Sequence, residues 1–140
     1  MLLGVHPLLT GELLAALDAM GHSDSVCLAD AHFPAARLGE RVLDLPGVGT
    51  PELLGAVRTV LPLDDAPAVD LMTSADGILL DVQHQLVDAA GVGRDEVRFV
   101  DRHAFYTVAA SAYLIVRTGE TRTYGNVVVR KGVVPVGVPA

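Results

Sequence analysis

Residues 10–34 read TGELLAALDAMGHSDSVCLADAHFP and combine a helix, a turn and a buried strand in one short segment. Thr10 is suited to cap the helix, Glu12 lies in its first turn, and Gly21 is suited to end it. The run that follows, Ser25-Val-Cys-Leu-Ala29, is short and apolar, which is typical of a strand buried on both faces of a sheet. This segment therefore predicts an α/β fold.

The rest of the chain alternates between strand-like and helix-like segments. The predicted strands cover residues 41–45, 68–72, 97–100, 113–116 and 127–130. The predicted helices cover residues 50–60, with Thr50 as N-cap, residues 81–90, closed by Gly91, and residues 103–112. This order predicts a single three-layer domain over residues 1–140, with a mostly parallel central sheet flanked by helices.

Composition limits the classes of function. Hydrophobic residues make up 51% of the chain, yet no apolar run approaches the ~20 residues of a membrane span. The start of the chain lacks the features of a signal peptide, and a lone Cys27 fits a reducing compartment. A formal net charge of −7 argues against nucleic acid as a partner. We therefore expect a cytoplasmic protein that binds neither nucleic acid nor membrane, with an apolar tail, residues 133–140, that contacts a neighbouring subunit.

Two histidines and a carboxylate flank the first predicted strand. Ligands of open α/β sheets bind at the carboxyl ends of strands. We therefore expect His22, Asp30 and His32 to gather around the far end of this strand and to form the candidate site. The structural alternatives are that His22 is a turn residue, that Asp30 only caps a turn, and that His32 and Phe33 serve packing or a subunit contact.

Several kinds of chemistry find little support in the sequence. There is no glycine-rich phosphate loop and no serine in a nucleophile elbow, and no pair among His22, Asp30 and His32 has the helical spacing of a zinc site. What remains is proton transfer by histidine on a small hydroxylated ligand. Arg102 has a surface alternative, an ion pair with Glu96 or Asp101. The run from Tyr124 to Asn126 also has a structural alternative, a turn in which Gly and Asn adopt positive φ.

Four blocks of sequence together resemble the L-fucose mutarotase and D-ribose pyranase family. They are Met-Gly-His-Ser-Asp at 20–24, Asp-Ala-His-Phe-Pro at 30–34, Arg-His-Ala-Phe-Tyr at 102–106, and Thr-Gly-Glu at 118–120 with Tyr-Gly-Asn at 124–126. The resemblance covers nearly the whole chain. The loop after Asp30 and the presence of Arg102 are similar to the fucose mutarotase branch, whereas His103 departs from the Phe often found there and affects the expected sugar preference.

The resemblance implies a role for each matching residue. His22 corresponds to the family's catalytic proton donor, and no metal or other cofactor is implied. The residues that correspond to sugar contacts or pocket lining are Asp30, Arg102, Tyr124, Asn126, Tyr106, Asp64 and Met72. The sequence leaves open whether Asp30 orients His22 or binds a sugar hydroxyl.

The implied activity is interconversion of the α and β anomers of L-fucose or a related monosaccharide by acid-base ring opening and closing. Two alternatives stay open: a D-ribose pyranase that interconverts pyranose and furanose forms, and a sugar-binding protein without catalysis. The resemblance also implies a homo-oligomer, a ring of five or ten subunits with sites at the subunit interfaces. The Tyr124 loop would then complete a neighbour's pocket.

Overall fold

Six strands form the central sheet of the computed structural model, which describes residues 1–65, 67–137 and 139. They are β1 (Ser25–Ala29), β2 (Val42–Leu45), β3 (Val69–Met72), β4 (Val97–Val100), β5 (Leu114–Thr118) and β6 (Val127–Arg130). Their order in the sheet is β2-β5-β1-β6-β3-β4, and β6 alone runs antiparallel to its neighbours, β1 and β3. The predicted mostly parallel sheet is confirmed.

Helices cover both faces of the sheet, as predicted. They are α1 (Gly11–Ala19), α2 (Ala35–Leu38), α3 (Thr50–Arg58), α4 (Asp81–Ala90) and α5 (Arg102–Ala110), with a 3₁₀ turn at Arg94–Glu96. The apolar faces of α1, α3 and α4 pack on one side of the sheet, and those of α2 and α5 pack on the other. The sequence pattern does not predict α2 and the 3₁₀ turn, because each is about one helical turn long and carries no apolar periodicity.

Side chains of β1 alternate between two hydrophobic cores. Val26 and Leu28 belong to the core beneath α1, α3 and α4, whereas Cys27 and Ala29 belong to the core beneath α2 and α5. All four are fully buried. Successive side chains of a strand point to opposite faces, and β1 is covered on both faces, which accounts for its apolar run.

The segment between β5 and β6, residues 119–126, decides where the site lies. Because β1 lies between β5 and β6 in the sheet, this segment must cross over the carboxyl end of β1. It is too short to contain a crossover helix, so β6 can only return antiparallel. The crossing carries residues 124–126 to the point where the chain leaves β1 at Asp30.

Two local expectations differ from the structure and a third is confirmed. The first helix ends in the extended Met20, and the positive φ falls on Ser23 (70°) rather than on Gly21. Gly49, not Thr50, is the N-cap of α3, and Thr50 is its first helical residue. The closing role of Gly91 is confirmed by its φ of 71°.

The apolar C-terminal tail lies partly outside the described residues, which do not include Val138 and Ala140. Within the described part, Val133, Val134 and Val136 are exposed on a single chain. No helix of the described residues combines the length and the apolar character needed to cross a bilayer.

Candidate functional site

A cavity of about 270 Å³ opens at the carboxyl end of β1. Its volume is close to the lower end, ~300 Å³, of the range usual for small-molecule sites. The lining combines a carboxylate, a guanidinium, an amide, two phenols and an imidazole with apolar surface, and comes from Asp30, His32, Phe33, Met72, Arg102, Tyr106, Thr123, Tyr124 and Asn126.

Asp30 and Asn126 form a reciprocal hydrogen-bonded pair in the wall of this cavity. The Asp30 N–H donates to Oδ1 of Asn126 (2.7 Å), and Nδ2 of Asn126 donates to Oδ2 of Asp30 (2.9 Å). The other carboxylate oxygen, Oδ1, accepts the His32 N–H (2.9 Å). Both side chains are buried, and burial raises the pKa of the Asp30 carboxyl despite these hydrogen bonds. The pair fixes the Tyr-Gly-Asn run against the end of β1.

Tyr124 is held in a left-handed backbone conformation. Its φ is 62°, which is uncommon for any residue other than glycine. The expectation that Gly125 or Asn126 would supply the positive φ is therefore wrong. Gly125 is required for space instead, because a Cβ there would lie 2.9 Å from Cγ of Glu120. The strained turn directs the phenol of Tyr124 to the cavity wall.

The N-terminus of α5 contributes the third part of the wall. Asp101 caps this helix by accepting the Ala104 N–H (2.9 Å), so Arg102 is its first residue and Tyr106 lies one turn further on the same face. Arg102 is exposed, and none of the ion pairs found among the described residues includes it. The alternative ion pair with Glu96 or Asp101 is therefore not formed, and the guanidinium is available to a ligand.

Two residues expected to serve packing also line the cavity. Phe33 packs edge-on against Phe105 and Tyr106, with ring centroids 6.0 and 5.5 Å apart, and His32 lies beside it. Thr123, which no sequence pattern indicates, also lines the cavity because it lies next to Tyr124. His103 is exposed and is not among the cavity-lining residues.

His22 belongs to a second cluster, with Ser23 and Asp64. Nε2 of His22 lies 3.0 Å from Oδ1 of Asp64, and the Ser23 hydroxyl donates to Oδ2 of Asp64 (2.7 Å). The two loops are fixed to β6, because the Ser23 N–H donates to the carbonyl of Lys131 and the Asp64 N–H to that of Arg130. Hydrogen bonds from Ser23 and His22 lower the pKa of Asp64 to about 2. Asp64 therefore stays ionised and holds the imidazole.

The two clusters lie at opposite ends of β1, and this corrects the expected grouping of His22 with Asp30 and His32. His22 precedes the strand, while Asp30 and His32 follow it. Five extended residues span about 16 Å. Within one chain Asp30 therefore cannot orient His22, and Asp64 does so instead. Met72 lines the Asp30 cavity as expected, whereas Asp64 is not among its lining residues.

The chemistry available to the two clusters is proton transfer and hydroxyl binding. An imidazole can give and take a proton near neutral pH, and the side chain of His22 is 60% exposed and open to a ligand or a partner surface. Among the residues that the structure describes, no group of three or more His, Cys, Asp and Glu side chains is arranged to hold a metal ion.

Known proteins are similar to this chain over nearly its whole length. The L-fucose mutarotase of Haemophilus influenzae (strain PittGG) is 40% identical over 144 residues, covering 97% of this chain and 99% of that protein. The crystal structure of the fucose mutarotase from Streptococcus pneumoniae in complex with L-fucose is similar with a TM-score of 0.88 and 31% identity, and covers 96% of this chain and 100% of that one.

A more distant structure shares the fold. RbsD of Bacillus subtilis, solved in complex with D-ribose, has a TM-score of 0.77 at 20% identity, over 93% of this chain and 98% of that one. The model of the RbsD / FucU transport protein family matches residues 3–134, almost the whole chain. On this match and on the identity to its relatives, the chain belongs to the RbsD / FucU transport protein family.

Proposed function

We propose that this protein is an L-fucose mutarotase, an isomerase that interconverts the α and β anomers of L-fucose. The observation that carries the proposal is the cavity at the end of β1, where Asp30, Arg102, Tyr124 and Asn126 surround a space suited to one monosaccharide. Relatives with 38–40% identity over nearly their whole length carry that name. Each of these side chains offers the donors or acceptors that sugar hydroxyls require.

The reaction needs two proton transfers and no cofactor. A proton leaves the anomeric hydroxyl and another reaches the ring oxygen, so that the bond between the anomeric carbon and the ring oxygen breaks and an aldehyde forms. After rotation about the adjacent bond, the hydroxyl adds to the other face of the aldehyde with the proton transfers reversed. His22 is the proposed proton donor and acceptor, and such catalysis contributes about 10²- to 10⁴-fold.

The remaining residues bind and orient the sugar. Arg102 presents a planar fork of donors to neighbouring sugar hydroxyls. Asp30 accepts hydrogen bonds from sugar hydroxyls at the acceptor positions that its bond to Asn126 leaves free. Tyr106, Tyr124 and Met72 form the rest of the proposed pocket. Asp64 acts through His22, because its carboxylate is committed to the imidazole and to Ser23.

A complete site in this proposal takes His22 from one subunit and the cavity from its neighbour. This follows from the separation of the two clusters along β1 and from the exposure of both His22 and Arg102. We infer a homo-oligomer, a ring of five or ten subunits with sites at the interfaces. The single buried Cys27 favours the cytoplasm as the location.

Two other functions remain alternatives: a D-ribose pyranase and a sugar-binding protein without catalysis. Arg102 and the loop after Asp30 favour the fucose branch, and the His22–Asp64 pair favours catalysis over binding alone. Exchange NMR on equilibrium mixtures of L-fucose and of D-ribose, with and without the protein, separates the three. We expect faster α/β exchange of L-fucose. Acceleration of only the ribose pyranose-furanose exchange indicates the pyranase, and binding without acceleration of either indicates the third.

A further inference from the structure

The run Thr118-Gly119-Glu120 is bonded to both sides of Asp30, although none of its residues lines the cavity. The Thr118 hydroxyl donates to the carbonyl of Ala29 (2.8 Å) and accepts the Glu120 N–H (3.1 Å). The Glu120 carbonyl accepts the Ala31 N–H (2.8 Å). These bonds attach the end of β5 to the residues immediately before and after Asp30.

The side chain of Glu120 is a buried carboxylate, 5% exposed, with a committed partner. Its Oε1 accepts the backbone N–H (3.1 Å) and Nε (2.9 Å) of Arg122, and its Oε2 accepts Nη2 (3.0 Å). The fork of Arg122 also donates to Oε1 of Gln85 on α4 (3.0 Å). The hydrogen bonds from the Arg122 guanidinium hold the pKa of the Glu120 carboxyl below its ordinary value, although burial opposes this. The Thr50 N–H adds a smaller contribution in the same direction as Arg122.

The Glu120 side chain packs closely against two glycines. A Cβ at Gly49 would lie 2.9 Å from Oε2 of Glu120, and one at Gly125 would lie 2.9 Å from its Cγ. The slot between the start of α3 and the Tyr-Gly-Asn run is therefore filled by Glu120. Tyr124, in its strained conformation, comes directly before Gly125, and such strain persists only where the surroundings enforce it.

We propose that Glu120 and Arg122 form a positioning clamp for the sugar site, holding residues 120–126 so that Tyr124 and Asn126 meet Asp30 in the binding geometry. This inference rests on the proposed function for its effect on catalysis. The clamp residues are positioning residues, because they act through the loop and not on the sugar.

The test compares Glu120→Gln, Arg122→Gln and the double variant with wild type. Arg117→Gln is the matched control, because Arg117 on β5 forms an exposed ion pair with Asp44 on β2, and the substitution removes it. If the clamp holds, Glu120→Gln raises the KM for L-fucose about tenfold with a smaller change in kcat. The double variant then raises the KM no further than Glu120→Gln does alone. Arg117→Gln keeps wild-type kinetics.

Amide hydrogen exchange supplies a readout that does not need a sugar. In Glu120→Gln the amides of Asp30 and Ala31, which donate to Asn126 and Glu120, should exchange about tenfold faster, while the β6 amides of residues 127–129 keep their protection. Unchanged KM with unchanged exchange at Asp30 and Ala31 would overturn the clamp, as would an equal loss of protection throughout the chain. Wild type that accelerates no sugar exchange would refute the proposed function, and the amide data alone would then decide the clamp.

Discussion

The imidazole of His22 is held by Asp64 at 3.0 Å, at the end of β1 opposite the one where Asp30 lies. The pair joins two loops that are 42 residues apart in the chain, and both loops are fixed to the end of β6. The proposed proton donor is therefore oriented by its own subunit but separated from its own cavity by the length of a strand. In the proposed function, a site that uses both clusters is therefore composed of two subunits.

Mixing two inactive variants tests this composite site. We expect His22→Ala and Arg102→Ala to lack L-fucose exchange activity separately, because each removes one half of every site. After dissociation and reassembly of an equal mixture, about a quarter of the sites would pair two intact halves in a heterologous ring. Exchange NMR on the reassembled mixture measures the recovery, and an absence of recovery in a mixed oligomer of native size would contradict the composite site.

Replacement of Asp64 by Asn should slow catalysis without loss of sugar binding. The neutral amide no longer stabilises an imidazolium and can present its NH₂ group to Nε2 of His22, so we expect kcat to fall about tenfold or more. The KM should change less, because the cavity is formed by other residues. Ser23→Ala is the milder control, since it removes one of the hydrogen bonds to Asp64 and leaves its charge.

Asp64 should also make the fold sensitive to acid. Its pKa in the folded chain, about 2, lies below the ~3.9 of an unfolded Asp, so the stability that it contributes is present above about pH 4 and is lost as the pH falls towards 2. Urea unfolding of wild type and Asp64→Asn between pH 2 and 5 measures this. The difference between their midpoints should shrink as the pH falls, and a constant difference would exclude the linkage.

Asp30 should respond to pH in the opposite direction. Because burial raises its pKa, the folded chain binds this proton at a higher pH than the unfolded chain, and the stability associated with this group rises as the pH falls through that window. Sugar affinity should fall over the same window, since protonation removes an acceptor from the cavity. Titration of L-fucose binding against pH, with His22→Ala as background to exclude turnover, measures the effect; affinity independent of pH from 7 to 4 would contradict it.

The strain at Tyr124 can be measured by comparing two small residues there. Glycine adopts a φ of 62° without penalty and alanine does not, so Tyr124→Gly should be more stable than Tyr124→Ala by about 1 kcal/mol. At an ordinary loop position the alanine variant is the more stable one. Urea unfolding of both variants measures the sign of the difference between their free energies of unfolding. Both should bind L-fucose more weakly than Tyr124→Phe, which keeps the ring.

Local features of the sequence determined the elements of this fold. The apolar run of β1, the Thr10 cap, Gly91 and the alternation of strands with helices were sufficient to predict a three-layer α/β domain with a mostly parallel sheet. These signals are short-range, because capping hydrogen bonds and hydrophobic periodicity depend on residues a few positions apart. The four sequence blocks were likewise sufficient to predict the family, which the comparisons confirm.

Only the tertiary structure decided how the candidate residues are grouped. The sequence places His22 and Asp30 eight positions apart, yet extended backbone carries them to opposite ends of the sheet, while the crossing from β5 over β1 brings Asn126 onto Asp30 from 96 positions away. The partner of His22, Asp64, and the positive φ of Tyr124 depend on the same long-range packing. Sheet order and the paths of the loops are set by contacts between distant segments, and no local pattern records them.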